Sequence, residues 1–134
     1  MVIVIDASAL VAYLLREEGH DIVREYMERG VASIELVVKE VLNAVYIAYR
    51  RGRVSREHVD IVFTALQKLL ENVIELVDQK PLLKQALEIS LSTGTTIYDA
   101  LYIALARQRK SPLLTRDREQ AKAAREVGVE VVEI

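Results

Sequence analysis

The chain has 134 residues, 51% hydrophobic and 28% charged, which predicts a single globular domain over residues 1–134. The absence of cysteine excludes disulfides and thiolate metal sites, and no apolar run approaches the ~18 residues of a membrane span. The net charge of −2 gives no overall basic field, so any nucleic-acid binding must depend on local groups of cations. The N-terminus has no leader-like pattern, so we expect a cytoplasmic protein with no membrane partner.

The first predicted element is a buried strand that ends at an acid. Residues 2–5 (VIVI) form an apolar run rich in β-branched residues, which predicts a strand covered on both faces. Asp6 ends this strand, and residues 7–15 continue as a helix. Asp6 can cap that helix, and it is also the first of four acids placed at the edge of an apolar element.

An acid and an amide then share one face of a predicted helix. A helix over residues 19–29, with Ile22, Val23, Tyr26 and Met27 on its inner face, and a strand over residues 31–34 come first. The following helix, residues 36–51, is mostly apolar. Glu40 and Asn43 interrupt it at a spacing of three, which places both side chains on one face. They mark either a functional site or a solvent-facing stripe.

The middle of the chain predicts structure and little chemistry. A long amphipathic helix over residues 55–72 is capped by Ser55, and its apolar stripe is Val59, Val62, Phe63, Leu66, Leu69 and Leu70. His20 and His58 are predicted to be surface residues, too far apart in sequence to indicate a metal site. A strand over residues 73–77 leads to Asp78 in a solvated turn, and a helix from Pro81 to Ser92 ends near Gly94.

The stretch from Thr95 to Asp117 carries the other two acids. Asp99 lies in the first turn of a helix capped by Thr95 or Thr96, and residues 100–106 are so apolar that this helix should be buried on nearly every side. A short strand, residues 113–115, leads to Asp117. A charged helix over residues 117–127 and a closing edge strand over residues 129–134 complete the chain. The alternation of strands and helices predicts a parallel α/β sheet with helices on both faces.

The four acids predict a site for a hard cation. Ligands of open parallel sheets bind beyond the carboxyl ends of the strands, where Asp6 and Asp117 should lie. Four carboxylates in one pocket repel each other unless a cation compensates, and ligation by oxygen alone suits Mg²⁺ or Mn²⁺. Such ions activate water for attack on a phosphodiester. Ser8 and Thr115, each two residues from an acid, are placed to fix the carboxylates by hydrogen bonds.

The chain resembles the PIN domain family, and within it the toxins of the VapC type. The resemblance covers the whole chain and is carried by four segments: IDASAL from Ile5, EVLNAV from Glu40, YDALYIALA from Tyr98 and LLTRD from Leu113. It departs from the family's pattern by lacking a proline before the Glu40 helix, a change in a loop that leaves the chemistry untouched.

The resemblance implies a three-layer α/β/α sandwich with a central parallel sheet, and metal-dependent endoribonuclease activity. Carried over residue by residue, it makes Asp6, Glu40, Asp99 and Asp117 both catalytic and metal-binding, with Mg²⁺ or Mn²⁺ as cofactor. Ser8, Asn43 and Thr115 would support them. It also implies a homodimer, an RNA substrate, and a small antitoxin whose tail occupies the active-site groove.

Other functions stay open at this point. One is an RNA-processing or quality-control nuclease without an antitoxin, and another is a non-catalytic binding module that kept the fold. A haloacid-type phosphatase would need an acid where the chain has Ser8, and a phosphoryl-transfer receiver would need a lysine late in the sheet. Presence of all four acids favours a nuclease.

RNA beside four carboxylates needs cations from the protein. The candidates nearest the acids in sequence are Arg116 and Arg118, which flank Asp117, and then Arg16 after the first helix. A more distant group, Arg50, Arg51 and Arg53, lies at the far end of the Glu40 helix and could extend a groove across two copies of the chain.

Overall fold

The computed structural model describes residues 2–134. The strands of this part are β1 (Ile3–Ile5), β2 (Val31–Ile34), β3 (Ile74–Val77), β4 (Leu113–Thr115) and β5 (Val131–Glu133). Its helices are α1 (Ala7–Leu14), α2 (His20–Met27), α3 (Leu36–Arg50), α4 (Arg56–Asn72), α5 (Leu83–Thr93), α6 (Ile97–Arg109) and α7 (Arg118–Glu126). A 3₁₀ turn, Lys80–Leu82, leads into α5.

The strands form one parallel sheet in the order β3-β2-β1-β4-β5. The chain moves outward from β1 to β3 and then returns to β4 on the other side of β1. Because parallel crossovers are right-handed, this reversal places α1 to α4 on one face and α5 to α7 on the other. Helix packing agrees, since α1 contacts α2 and α3 while α6 contacts α5 and α7. The predicted α/β/α sandwich is confirmed.

The reversal in strand order creates the crevice that positions the site. β1 and β4 are direct neighbours, with Val4 paired to Leu113 and Ile5 to Leu114. Their carboxyl ends therefore meet at one edge of the sheet, where ligands of open α/β sheets bind. Asp6 follows β1 at this edge and Asp117 lies two residues beyond β4.

Helix α6 fills the core on its side of the sheet. Residues 100–106 are all buried, as the sequence predicts, and even Tyr102 is only 1% exposed. The preceding helix α5 ends at Gly94, whose φ of +81° is a left-handed conformation that glycine adopts without strain. This turn brings the chain back so that the first turn of α6 lies at the carboxyl edge of the sheet.

Two predicted core positions are wrong. Ile22 is 42% exposed and Phe63 is 44% exposed. The inward-facing stripe of each helix is narrower than predicted and contains Val23 and Met27 on α2, and Val62 and Leu66 on α4. Ile22 and Phe63 are each next in sequence to a residue of this stripe. Among the helices of residues 2–134, none is long and apolar enough to cross a membrane.

Candidate active site

Asp6 is buried at the carboxyl end of β1, where it caps α1. Its Oδ1 accepts a 2.9 Å hydrogen bond from the Ala9 backbone N–H, and both carboxylate oxygens lie 2.9 Å from the Ser8 hydroxyl. The Thr115 hydroxyl lies only 2.6 Å from Oδ2. Burial nevertheless raises the pKa of Asp6 to about 6, because desolvation outweighs these hydrogen bonds and the charge of Asp117 adds to it.

Asp117 is tied to the same hydrogen-bond network through backbone atoms. The N–H of Asp117 donates to Thr115 Oγ1 over 3.0 Å, and the N–H of Arg116 donates to Ser8 Oγ over 2.9 Å. The Asp117 carboxylate caps α7 by accepting from the N–H groups of Glu119 and Gln120. Ser8 and Thr115 thus link the end of β1 to the end of β4.

Asp99 lies in the first turn of α6, as predicted. Thr96 caps this helix, with its hydroxyl accepting from the Asp99 backbone N–H over 3.2 Å. The carboxylate is half-buried, and its pKa is raised to about 6, first by burial and then by the charges of Asp117 and Glu40. The N-terminus of a helix stabilises an anion and so acts to lower the pKa of an acid there. Burial and the neighbouring acids outweigh this effect at Asp99.

Glu40 is held by a side chain on α6. The Tyr102 hydroxyl donates to Glu40 Oε1 over 2.6 Å, and Tyr102 lies three residues after Asp99, so that one helix positions both acids. Burial, followed by the bond to Glu40, raises the pKa of Tyr102. The hydroxyl therefore stays a hydrogen-bond donor to Glu40 at neutral pH.

Gln120 belongs to this site, although its sequence position did not indicate a role. It is 1% exposed, its Oε1 lies 3.0 Å from the Thr115 hydroxyl, and its Nε2 donates to the Asp99 carbonyl over 3.2 Å. Its position, three residues after the helix-capping Asp117, is typical of a capping box, which would turn its side chain toward its own helix. The side chain instead bridges β4 and α6.

Asn43 is not part of the network. It is exposed on α3, and within residues 2–134 its side chain makes no hydrogen bond. Spacing placed it correctly on the side of α3 that carries Glu40, but one turn further along the helix this side reaches solvent. A supporting role for Asn43 stays a prediction.

The acids suit a hard divalent cation but do not form a closed ligand set. Asp117 raises the pKa of both Asp6 and Asp99, and Glu40 raises that of Asp99, so the four carboxylates share one electrostatic environment. Within the described part of the chain, no three acidic, histidine or cysteine side chains are grouped closely enough to hold a metal ion. Because every donor is oxygen, the residues fit Mg²⁺ or Mn²⁺ better than zinc.

The predicted RNA-binding arginines are all exposed but differ in the contacts of their side chains. Arg116 is exposed, but its Nη1 forms an ion pair with Glu17 at 3.0 Å. Arg118 is exposed at the first position of α7, and Arg16 is exposed just after α1. Arg50 donates to the Tyr46 hydroxyl and lies over its ring, at the far end of α3 from Glu40.

The fold is a parallel α/β/α sandwich. Its acids lie around the carboxyl edge of the sheet, where the strand order reverses, and this combination defines the class of the protein. The PIN domain model matches residues 3–126. The chain belongs to the PIN domain family.

Known relatives agree with this assignment. The chain is 31% identical over 128 residues to "Ribonuclease VapC3" of Pyrobaculum aerophilum, a match that covers 91% of this chain and 94% of the relative. The crystal structure of PAE2754 from the same organism is 28% identical, with a TM-score of 0.71 over 98% of this chain and 92% of that one. FitAcB from Neisseria gonorrhoeae, at 18% identity, has a TM-score of 0.66 over 98% and 97% of the two chains and shows the shared fold alone.

Proposed function

We propose that the protein is an endoribonuclease that depends on Mg²⁺ or Mn²⁺ and acts as the toxin of a toxin–antitoxin pair in the cytoplasm. The observation that carries this proposal is the placement of Asp6, Glu40, Asp99 and Asp117 around one edge of the sheet. There the charge of Asp117 helps to raise the pKa of both Asp6 and Asp99, and the charge of Glu40 helps to raise that of Asp99. The 31% identity to a protein named as a ribonuclease supports RNA as the substrate. Residues 1–134 would form one nuclease domain.

Each acid has a separate means of support for this work. A bound divalent ion would supply an activated water and stabilise charge on the phosphate. Asp6 is fixed by Ser8 and Thr115, and Glu40 is fixed by the Tyr102 hydroxyl. Asp99 and Asp117 are fixed by their places in the first turn of α6 and at the cap of α7. We assign ion binding to these four acids, and support to Ser8, Thr115 and Asn43.

Cleavage of RNA in the presence and absence of chelator tests this function. Purified protein should cut single-stranded or loop RNA with Mg²⁺ or Mn²⁺, because the ion supplies the activated water. Activity should be lost in EDTA and return when excess Mn²⁺ is added. Full cleavage in EDTA would contradict the metal mechanism, and an absence of any RNA cleavage with Mn²⁺ would favour the non-catalytic binding module.

The partner distinguishes a toxin from an RNA-processing nuclease of the same fold. A solved structure at 16% identity is described as a toxin–antitoxin complex from Klebsiella pneumoniae, and this likeness shows the fold alone. We infer a small antitoxin from the resemblance of this chain to VapC-type toxins, which its 31% identity to "Ribonuclease VapC3" supports. A short DNA-binding protein encoded beside this chain, and its co-purification after co-expression, would support the toxin.

Helix α5 offers a surface for a homodimer. Leu83, Leu87 and Leu91 repeat every four residues and are 48%, 50% and 78% exposed, so that an apolar stripe faces outward. Lys84 and Glu88 flank it. If two copies of α5 pack antiparallel about a two-fold axis through Leu87, each lysine meets the other copy's glutamate.

The Leu87→Glu substitution should convert such a dimer to a monomer, because it places two like charges at the centre of the interface. Light scattering during size-exclusion chromatography would measure the mass. Ile61→Glu, which changes an equally exposed apolar residue on α4, is the control and should leave the dimer intact. An unchanged mass for Leu87→Glu would place the interface elsewhere.

The arginines beside Asp117 give a separate prediction about RNA binding. The double variant Arg116→Ala/Arg118→Ala should weaken binding across RNA sequences and lower its salt dependence by about one charge per lost phosphate contact. Mn²⁺ binding should not change. Arg29→Ala is the control, since Arg29 follows α2 at the opposite edge of the sheet. An unchanged salt dependence in the double variant would show that RNA passes elsewhere.

A further inference from the structure

A cleft of about 640 Å³ between α1, α2 and α4 brings together arginine and histidine side chains from two parts of the chain. Its lining includes Arg16, His20, Arg24 and His58, together with Tyr13. The two histidines, predicted to be unrelated surface residues, thus share one cleft. Its floor is apolar and is formed by Leu14 and by residues of α4.

No carboxylate lines this cleft within residues 2–134, although the chain is acidic overall. His20 and Arg24 are four residues apart and share a face of α2, and the exposed carboxylate of Glu28 lies 3.7 Å from Arg24 Nε without lining the cleft. By contrast, the cleft beside Asp99 is lined by Glu119 and Glu126 as well as by Lys122.

The cleft is connected to the acidic site through a short series of contacts. Arg116, just before Asp117, donates through its backbone N–H to Ser8 and through its side chain to Glu17. Glu17 is the residue after Arg16. This ion pair occupies the carboxylate next to Arg16 in sequence, and within the described residues Arg16 itself forms no ion pair.

We propose that this cleft is a second RNA subsite, which binds backbone phosphates away from the scissile bond. Arginine binds phosphate oxygens through several N–H groups, and imidazoles donate an N–H in either protonation state. Tyr13 and the apolar floor offer a surface on which a base stacks. The acid-free lining favours a polyanion over a neutral ligand. This inference rests on the proposed ribonuclease function and extends it to the path of the substrate.

Binding of RNA in EDTA tests the subsite without cleavage. Fluorescence anisotropy of a labelled single-stranded RNA of about 12 nucleotides should show affinity lowered about tenfold by Arg16→Ala/Arg24→Ala. The slope of log affinity against log salt should fall by about 1.4, or about 0.7 for each lost phosphate contact. His20→Gln/His58→Gln should weaken binding with a smaller change in slope. Arg29→Ala, a change of the same type just beyond α2, is the control.

RNA length provides a second measurement. Cleavage of an RNA of about three nucleotides with Mn²⁺ should be unchanged in His20→Gln/His58→Gln, whereas the longer RNA should show a raised KM and an unchanged kcat. Circular dichroism melts check that both double variants fold.

If the wild type binds no RNA, the proposed function fails. If the wild type binds RNA and the variants bind it equally well, only the subsite is overturned, and the apolar floor is left for a protein segment.

Discussion

The Asp99→Asn variant is expected to lose RNA cleavage by at least about 100-fold while remaining folded. Asparagine keeps the size of the side chain but removes the negative charge that attracts the ion. The cap of α6 should survive, because Thr96 accepts from the backbone N–H of residue 99 and not from its side chain. Steady-state cleavage with Mn²⁺ and a thermal melt of the same sample measure the two effects separately.

The stability of the Asp99→Asn variant gives a second expected result. Burial and neighbouring charges raise the pKa of Asp99 to about 6, so its ionised form costs stability at neutral pH. We therefore expect the metal-free variant to melt at the same temperature as the wild type or higher. Asp78→Asn, an exposed acid after β3, is the control and should keep full activity. An Asp99→Asn protein that unfolds, yet keeps wild-type activity in its folded fraction, would show that Asp99 is only structural.

The second large effect concerns stability against pH. The pKa values of Asp6 and Asp99 are both raised from 3.8 to about 6. Between these values the folded chain binds more protons than the unfolded chain, so the free energy of unfolding falls as pH rises through this window. For buried Asp6 the loss is about 3 kcal/mol, since one pKa unit is about 1.4 kcal/mol. The metal-free protein should thus melt at a lower temperature at pH 8 than at pH 5.

Divalent ions should reverse this loss. An ion that binds only the folded state adds about 2.7 kcal/mol at 100 times its dissociation constant, which raises the melting temperature by about 10 °C for a chain of this size. Melts with millimolar Mn²⁺ should show this increase at pH 8 and a smaller one at pH 5, where protons compete for the carboxylates. Asp6→Asn should show a smaller increase at both pH values. Identical wild-type melts with and without Mn²⁺ would contradict the ion site.

Most of the fold could be predicted from local patterns. The apolar strand before Asp6 and the apolar residues 100–106 were recognised because burial on all sides leaves no polar positions. Asp6 and Asp117 were placed at the same edge because the carboxyl ends of parallel strands meet there. The order of the strands was not predicted, because no local pattern shows that the chain passes to the other side of β1 before β4.

Contacts between elements explain the remaining differences. Gln120 follows Asp117 in a pattern typical of a helix cap, and only the packing of α7 against α6 turns its side chain toward Asp99. His20 and His58 meet because α2 and α4 both pack near α1. Ile22 and Phe63 differ from their buried neighbours by one position along a helix, which is finer than apolar periodicity resolves.

Calorimetric titration of Mn²⁺ into the metal-free protein at pH 8 tests the central claim most directly. The wild type should bind Mn²⁺ in a saturable way, and Asp6→Asn and Asp99→Asn should bind it at least about tenfold more weakly. Asp78→Asn should match the wild type. Wild-type protein that binds no Mn²⁺, or binds it equally well after either substitution at Asp6 or Asp99, would contradict the assignment of these acids to a metal site.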